Sequence, residues 1–193
     1  MCIKLHFHLV ILAIYFYAIH RIKIFFCFYI FAIIHELAHI TMAAILKVRV
    51  EEIMLLPVGV CAKCEYIPNR LKEISIAAAG PLFSSIIGLL INDNFMKTVN
   101  YVIAFLNLIP IYPLDGGKIL RGTLSIILGH KKSIRVSSTI SKVIASIIFV
   151  FSVVLYIYFK NFSLLLLSLY IYIILREETK KDRILETIRK VLE

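Results

Sequence analysis

The residues of this chain best suited to chemistry are His35, Glu36 and His39, in the H-E-x-x-H stretch His35-Glu36-Leu37-Ala38-His39. On a helix, side chains four residues apart share a face, so His35 and His39 can hold one metal ion through their ring nitrogens, with Glu36 beside them. Zn²⁺ lowers the pKa of a bound water from about 15.7 to about 7, and an adjacent carboxylate can take that proton, which makes a hydrolytic centre. The same pattern occurs in soluble helices, where three polar residues face water at no cost. Here both flanks are hydrocarbon-like, Ile24-Phe25-Phe26-Cys27-Phe28-Tyr29-Ile30-Phe31 before and Ile40-Thr41-Met42-Ala43-Ala44-Ile45 after. An ionisable residue at bilayer depth costs about 2.5–3.5 kcal/mol. A divalent cation offsets that cost for a cluster of three, by keeping the histidines as neutral ligands and attracting the carboxylate.

A hydrolytic zinc site takes three protein ligands and leaves one position for water. Asp115 is the best third donor. It follows Pro110 and Pro113, which break an apolar run, and precedes Gly116 and Gly117, which allow close backbone approach. Asp115 can equally cap a following helix, a role compatible with ligation. Asp93, Asp182 and the Glu residues of the tail fall in loops or water. Cys61 and Cys64 have C-x-x-C spacing without a second pair, and read as reduced cytoplasmic thiols. His6 and His8, two residues apart, would lie on opposite helix faces and suit hydrogen bonding at an interface.

The elements that must position these residues are membrane segments. Of 193 residues 61% are apolar, and the mean hydropathy is +0.91, well above a soluble domain. The net charge of +10 does not imply a nucleic-acid partner, because the cations flank apolar runs and suit anionic lipid headgroups. The first apolar run, Leu5 to Ile19, lacks a small-residue cleavage site and is expected to remain as a span. Further runs follow at Ile22–Leu46, Ile74–Ile91 and Val99–Ile111, and Val143–Leu175 is long enough for two spans turning at Lys160-Asn161. Between the second and third runs, Lys47 to Lys72 alternates, is punctuated by Pro57 and Gly59, and reads as a membrane-associated hairpin whose edge could take an extended substrate.

The expectation is an all-α polytopic membrane protein of six transmembrane helices, with a small β-hairpin between helices 2 and 3. Residues 1–175 form the membrane domain, and residues 176–193 form a charged amphipathic tail with Ile184, Ile188 and Leu192 on one face. This arrangement puts every Lys and Arg on one side except Arg21, Lys23, Lys97 and Lys160, which places both termini in the cytoplasm. The second run then points inward, with His35 and His39 about 10 to 15 Å from its cytoplasmic end. The fourth run also points inward, so Asp115 is expected near the same side.

With these motifs in place, the sequence resembles the site-2 proteases, intramembrane zinc metalloproteases. Their H-E-x-x-H matches His35 to His39, and their N-x-x-P-x-x-P-L-D-G-G matches Asn107-Leu108-Ile109-Pro110-Ile111-Tyr112-Pro113-Leu114-Asp115-Gly116-Gly117 at every fixed position. Ala79-Gly80-Pro81 and Asn69-Arg70-Leu71-Lys72-Glu73 are similar to the family as well. Lys4-Leu5-His6-Phe7-His8, Leu55-Leu56-Pro57 and Glu177-Glu178 look most like its sporulation-stage branch. The resemblance covers about Lys4 to Glu178, and so does not extend to the C-terminal CBS domain common in that branch. Where the family often has Asn in the motif after Ala-Gly-Pro, this chain has Ser84, and no catalytic role is assigned there.

The resemblance implies peptide-bond hydrolysis at membrane depth with a Zn²⁺ cofactor held by His35, His39 and Asp115 and with Glu36 as general base. It also implies that Asn107 positions substrate, although an Asn that packs helices fits the residue equally well. The implied partner is the pro-sequence of a membrane-associated, sigma-K-type factor, cleaved in the mother-cell-derived membrane around the forespore, with membrane-protein regulators and no nucleic acid. An anti-sigma factor or a signal-peptide remnant is the alternative substrate. A rival of another class is a metal transporter using His35, His39 and Asp115 as a transit site, but a carrier gains nothing from Glu36 as a base and would show repeated halves. A catalytically silent scaffold would tolerate loss of Glu36.

Overall fold

The structure is a computed structural model that describes residues 2–5, 17, 20, 22–56, 59–64, 69–160, 165–166, 168–177 and 179–180. The chain divides into two compact units, Met1–Leu108 and Ile109–Glu193.

In the first unit, strand β1 (Cys2–Leu5) is followed by helix α1 (Ile22–Ile45), strands β2 (Val50–Leu56) and β3 (Gly59–Cys64), and helices α2 (Arg70–Leu90) and α3 (Asn94–Leu108). The three strands form one sheet in the order β1-β2-β3. β1 runs parallel to β2, with Ile3 opposite Ile53, and β3 runs antiparallel to it, with Ala62 opposite Ile53.

α1 is a helix because an apolar segment in hydrocarbon must satisfy every backbone group internally. Its end is built from backbone bonds. Lys47 turns to φ 56, its N–H donates to the Ala44 carbonyl, and the Val48 N–H donates to the Ala43 carbonyl at 2.8 Å. This is a Schellman closure with Lys where Gly is usual. Lys72 Nζ then donates to the Leu46 carbonyl at 2.9 Å, tying the start of α2 to the end of α1. α2 begins at Asn69, whose side-chain oxygen accepts from the Leu71 N–H at 2.9 Å, an N-cap. α2 and α3 pack closely at Gly88, where an added Cβ would stand 2.9 Å from the Tyr101 ring. Asp93 starts α3 by accepting from the Met96 N–H at 2.7 Å.

In the second unit, α4 (Asp115–Leu128) and α5 (His130–Phe159) meet at Gly129, which takes φ 78. The core of this unit is Ile111, Ala145 and Leu175, with Ile109, Leu114, Ile144, Ile148 and Ile171 packed on it. Inside it, the hydroxyls of Ser152 and Ser168 bond each other at 2.8 Å. Residues 168–177 are helical.

These elements correct the expectation of six spanning helices in an all-α chain. Among the described residues, three helices are long and apolar enough to cross a membrane: Ile22–Ile45, Arg70–Leu90 and His130–Tyr158. α3 has 15 residues, a rise of about 22 Å against about 30 Å of hydrocarbon, because the prolines that follow stop it. α5 takes in the basic stretch from His130, ahead of the apolar run that starts at Val143, and runs 30 residues. The chain is not all-α either. In place of an isolated hairpin there is a three-stranded sheet, because Cys2–Leu5, whose last residue had been read as the start of a first span, pairs with β2 as a strand. The remainder of that expected span apart from Tyr17, His6 and His8 included, and tail residues 181–193 lie outside the described residues.

The three long helices carry exposed Phe26, Ile30, Ile33 and Leu37 on α1, Leu82, Ile86, Leu89 and Leu90 on α2, and Ile147, Val150, Phe151 and Tyr158 on α5. Such surfaces suit lipid, and the chain is a membrane protein.

Candidate metal centre

His35, Glu36 and His39 lie on the buried face of α1, at 5%, 8% and 6% exposure. Spacing by four brings the two imidazoles together edge to face, with centroids 4.9 Å apart at an interplanar angle of 80°. Their Nε2 atoms are 3.2 Å apart. The other ring nitrogens are turned towards α2. His39 Nδ1 donates to the Ile76 carbonyl at 2.7 Å, and His35 Nδ1 stands 2.9 Å from Ser84 Oγ. A carbonyl can only accept, so the bond to Ile76 puts the proton of a neutral His39 on Nδ1 and leaves Nε2 as a lone pair. That is the tautomer a metal-ligating histidine needs, and an outward carbonyl is a usual means of fixing it.

Gly80 completes this wall. A Cβ there would stand 2.6 Å from His35 Nε2 and would collide with His39 Nε2. Only a glycine lets the two nitrogens converge beside the α2 backbone. Two convergent imidazole nitrogens, a neighbouring carboxylate and a side-chain-free wall fit a zinc ion, which takes nitrogen and oxygen ligands.

Asp115 belongs to the second unit. It is the first residue of α4, 4% exposed, where the helix N-terminus favours an anion. Lys118, one turn on, reaches its Oδ1 at 3.1 Å. The approach to Asp115 is held from several directions. The Tyr112 N–H donates to Ser141 Oγ at 3.0 Å, the Arg121 guanidinium lies 4.7 Å over the Tyr112 ring, and the Tyr112–Pro113 peptide is cis. A Cβ on Gly117 would collide with the Ile111–Tyr112 peptide, which is why the motif needs a glycine two residues after the acid.

The structure brings His35, Glu36 and His39 together on one helix face. Asn107 is half-buried in the last turn of α3, and its Nδ2 donates to the Ile103 carbonyl at 2.9 Å. Cys61 and Cys64 are in β3, paired through the backbone with Met54 and Val50. Sequence reasoning missed the histidine partners on α2. The Ile76 carbonyl carries no signature in sequence, and Gly80 stood out only within the family-like Ala79-Gly80-Pro81. Ser84 stands at a flagged position, but a lone serine in an apolar helix gives no direct sign of what it touches.

A sequence profile of peptidase family M50 matches residues 23–92 and 94–151. A zinc metalloprotease of Methanocaldococcus jannaschii is 35% identical over 182 residues, covering 86% of this chain and 52% of that protein. Stage IV sporulation protein FB of Bacillus subtilis is 32% identical over 114 residues, covering 52% of this chain and 40% of that protein. The chain thus spans about half or less of the length of these relatives. Among solved structures, the site-2 protease from Methanocaldococcus jannaschii superposes with a TM-score of 0.74 at 31% identity, covering 92% of this chain and 90% of that one. With the profile spanning both motif regions, the chain belongs to peptidase family M50, metalloendopeptidases of the site-2 protease type whose metal is zinc.

Proposed function

We propose that the chain is the membrane part of an intramembrane endopeptidase that hydrolyses a peptide bond in or near a membrane segment of its substrate. The observation that carries this reading is the buried histidine pair with Glu36 on one face of an otherwise apolar helix. His35 and His39 hold the metal through Nε2, and Asp115 supplies the third ligand as a carboxylate at a helix N-terminus. Zinc, when bound, supplies Lewis acidity that polarises a carbonyl and lowers the pKa of water. The rest of the work falls to the chain. Glu36 takes the proton of the attacking water and returns it to the leaving amine. Asn107 offers an amide to an extended substrate backbone, and the apolar faces of α1 and α2 keep bulk water from the site.

The substrate is the pro-sequence of a membrane-associated sigma factor of the sigma-K type, removed during sporulation, with the chain multi-pass in the membrane around the forespore and both termini cytoplasmic. The similarity to a sporulation-stage protein supports this. Co-expression with a membrane-tethered pro-sigma factor, and in parallel with a membrane-bound anti-sigma factor, tests it. The reading predicts cleavage of the first and loss of cleavage with Glu36→Gln. Cleavage of the anti-sigma factor alone would keep the protease and reassign its substrate. A metal-carrier reading would instead predict that neither substrate is cleaved, with or without Glu36→Gln.

A further inference from the structure

α2 presents three successive turns of one face to the histidine pair: the Ile76 carbonyl, the bare Cα of Gly80 and the Ser84 hydroxyl. Their spacing of four and four runs antiparallel to the spacing of four between His35 and His39, so His39 meets Ile76, His35 meets Ser84, and Gly80 admits both rings between. The two outer contacts differ in chemistry. The carbonyl at His39 dictates the tautomer. The hydroxyl at His35 can give or take a proton, and it lies at a residue only 1% exposed, where an unmade hydrogen bond is costly.

We propose that Ser84 is a positioning residue for the metal. Its hydroxyl accepts the proton of His35 Nδ1, which makes Nε2 the ligating nitrogen and holds the ring against Gly80 beside His39. The inference rests on the reading of His35 and His39 as ligands. Ser85, next in the chain, gives an internal control, because its hydroxyl donates within α2 to the Pro81 carbonyl at 2.8 Å.

The test is the zinc affinity of the purified chain in detergent, by competition with a chromogenic chelator, together with the visible absorption of the Co²⁺-loaded protein. Ser84→Ala is expected to bind zinc about 10- to 100-fold more weakly, the usual effect of removing the outer partner of a ligating histidine, and to alter the Co²⁺ bands. Ser84→Thr, which keeps the hydroxyl, restores affinity and bands, and Ser85→Ala leaves both as in the wild type. Wild-type affinity in Ser84→Ala overturns the inference, as does an equal loss in Ser84→Ala and Ser84→Thr, which would make the effect one of packing. His35→Ala separates the two levels. If it binds zinc as well as the wild type, the ligand reading itself fails. If it binds weakly while Ser84→Ala does not, only the role of Ser84 fails.

Discussion

Glu36→Gln keeps the size of the side chain and one acceptor oxygen but removes its ability to take a proton. Cleavage is therefore expected to fall about 10²- to 10⁴-fold, with metal content unchanged, as measured by substrate turnover and by elemental analysis of the same preparation. Equal loss of zinc and activity would move Glu36 from base to ligand or to structure. Gly80→Ala makes the complementary demand. A methyl group there competes for the space that both Nε2 atoms occupy, so the variant is expected to lose zinc while its helical circular dichroism persists, since Ala favours a helix over Gly by about 1 kcal/mol. Zinc binding at the wild-type level in Gly80→Ala would contradict the wall that α2 is argued to form. His35, Glu36 and His39 were legible in sequence because two histidines and a glutamate in a hydrocarbon run demand an explanation. Their partners on α2 were not, because a carbonyl and an absent side chain leave no mark in residue type.

At the scale of the element, the ends of α1 and α2 carry the most specific devices. Lys47 takes φ 56 to close α1, a conformation that costs a residue with a Cβ about 1–2 kcal/mol. Lys47→Gly is expected to stabilise the protein by roughly 1 kcal/mol, read as a higher thermal midpoint in detergent, and a lower midpoint would mean that the Lys47 side chain contributes more than its backbone costs. Asn69→Ala removes the cap of α2 and is expected to destabilise by about 1 kcal/mol. The helix boundaries themselves were partly legible. Pro110 and Pro113 ended α3 where two prolines should, and the glycines after Asp115 marked a close approach. The fusion of a basic stretch into α5 was not legible, because Lys131, Lys132 and Arg135 suit a loop as readily as the exposed side of a helix. Nor was β1, since Cys2–Leu5 is too short to show an alternation and gains its identity only by pairing with β2.

For the whole molecule, composition was enough to assign a membrane protein, but it read six spans where three helices among the described residues are long and apolar enough to cross, because apolar runs were counted without knowing which would be stopped short. If Lys and Arg gather on the cytoplasmic side, as proposed, Arg49 faces the cytoplasm and Asn94 the opposite side. Both are exposed, so single cysteines introduced there, in a chain whose four native cysteines are replaced by Ser, are expected to react with an impermeant maleimide from opposite faces of sealed vesicles. Labelling of both from one face would contradict this orientation of the first unit. The account as a whole depends on one histidine pair holding a catalytic metal within the membrane, and the most direct test is to measure zinc and cleavage together in the wild type and in His39→Ala, both purified from membranes. The account predicts about one zinc per wild-type chain, the single hydrolytic site of this class, with cleavage of a membrane-tethered substrate, and neither zinc nor cleavage in the variant. Full zinc content and undiminished cleavage in His39→Ala would contradict it.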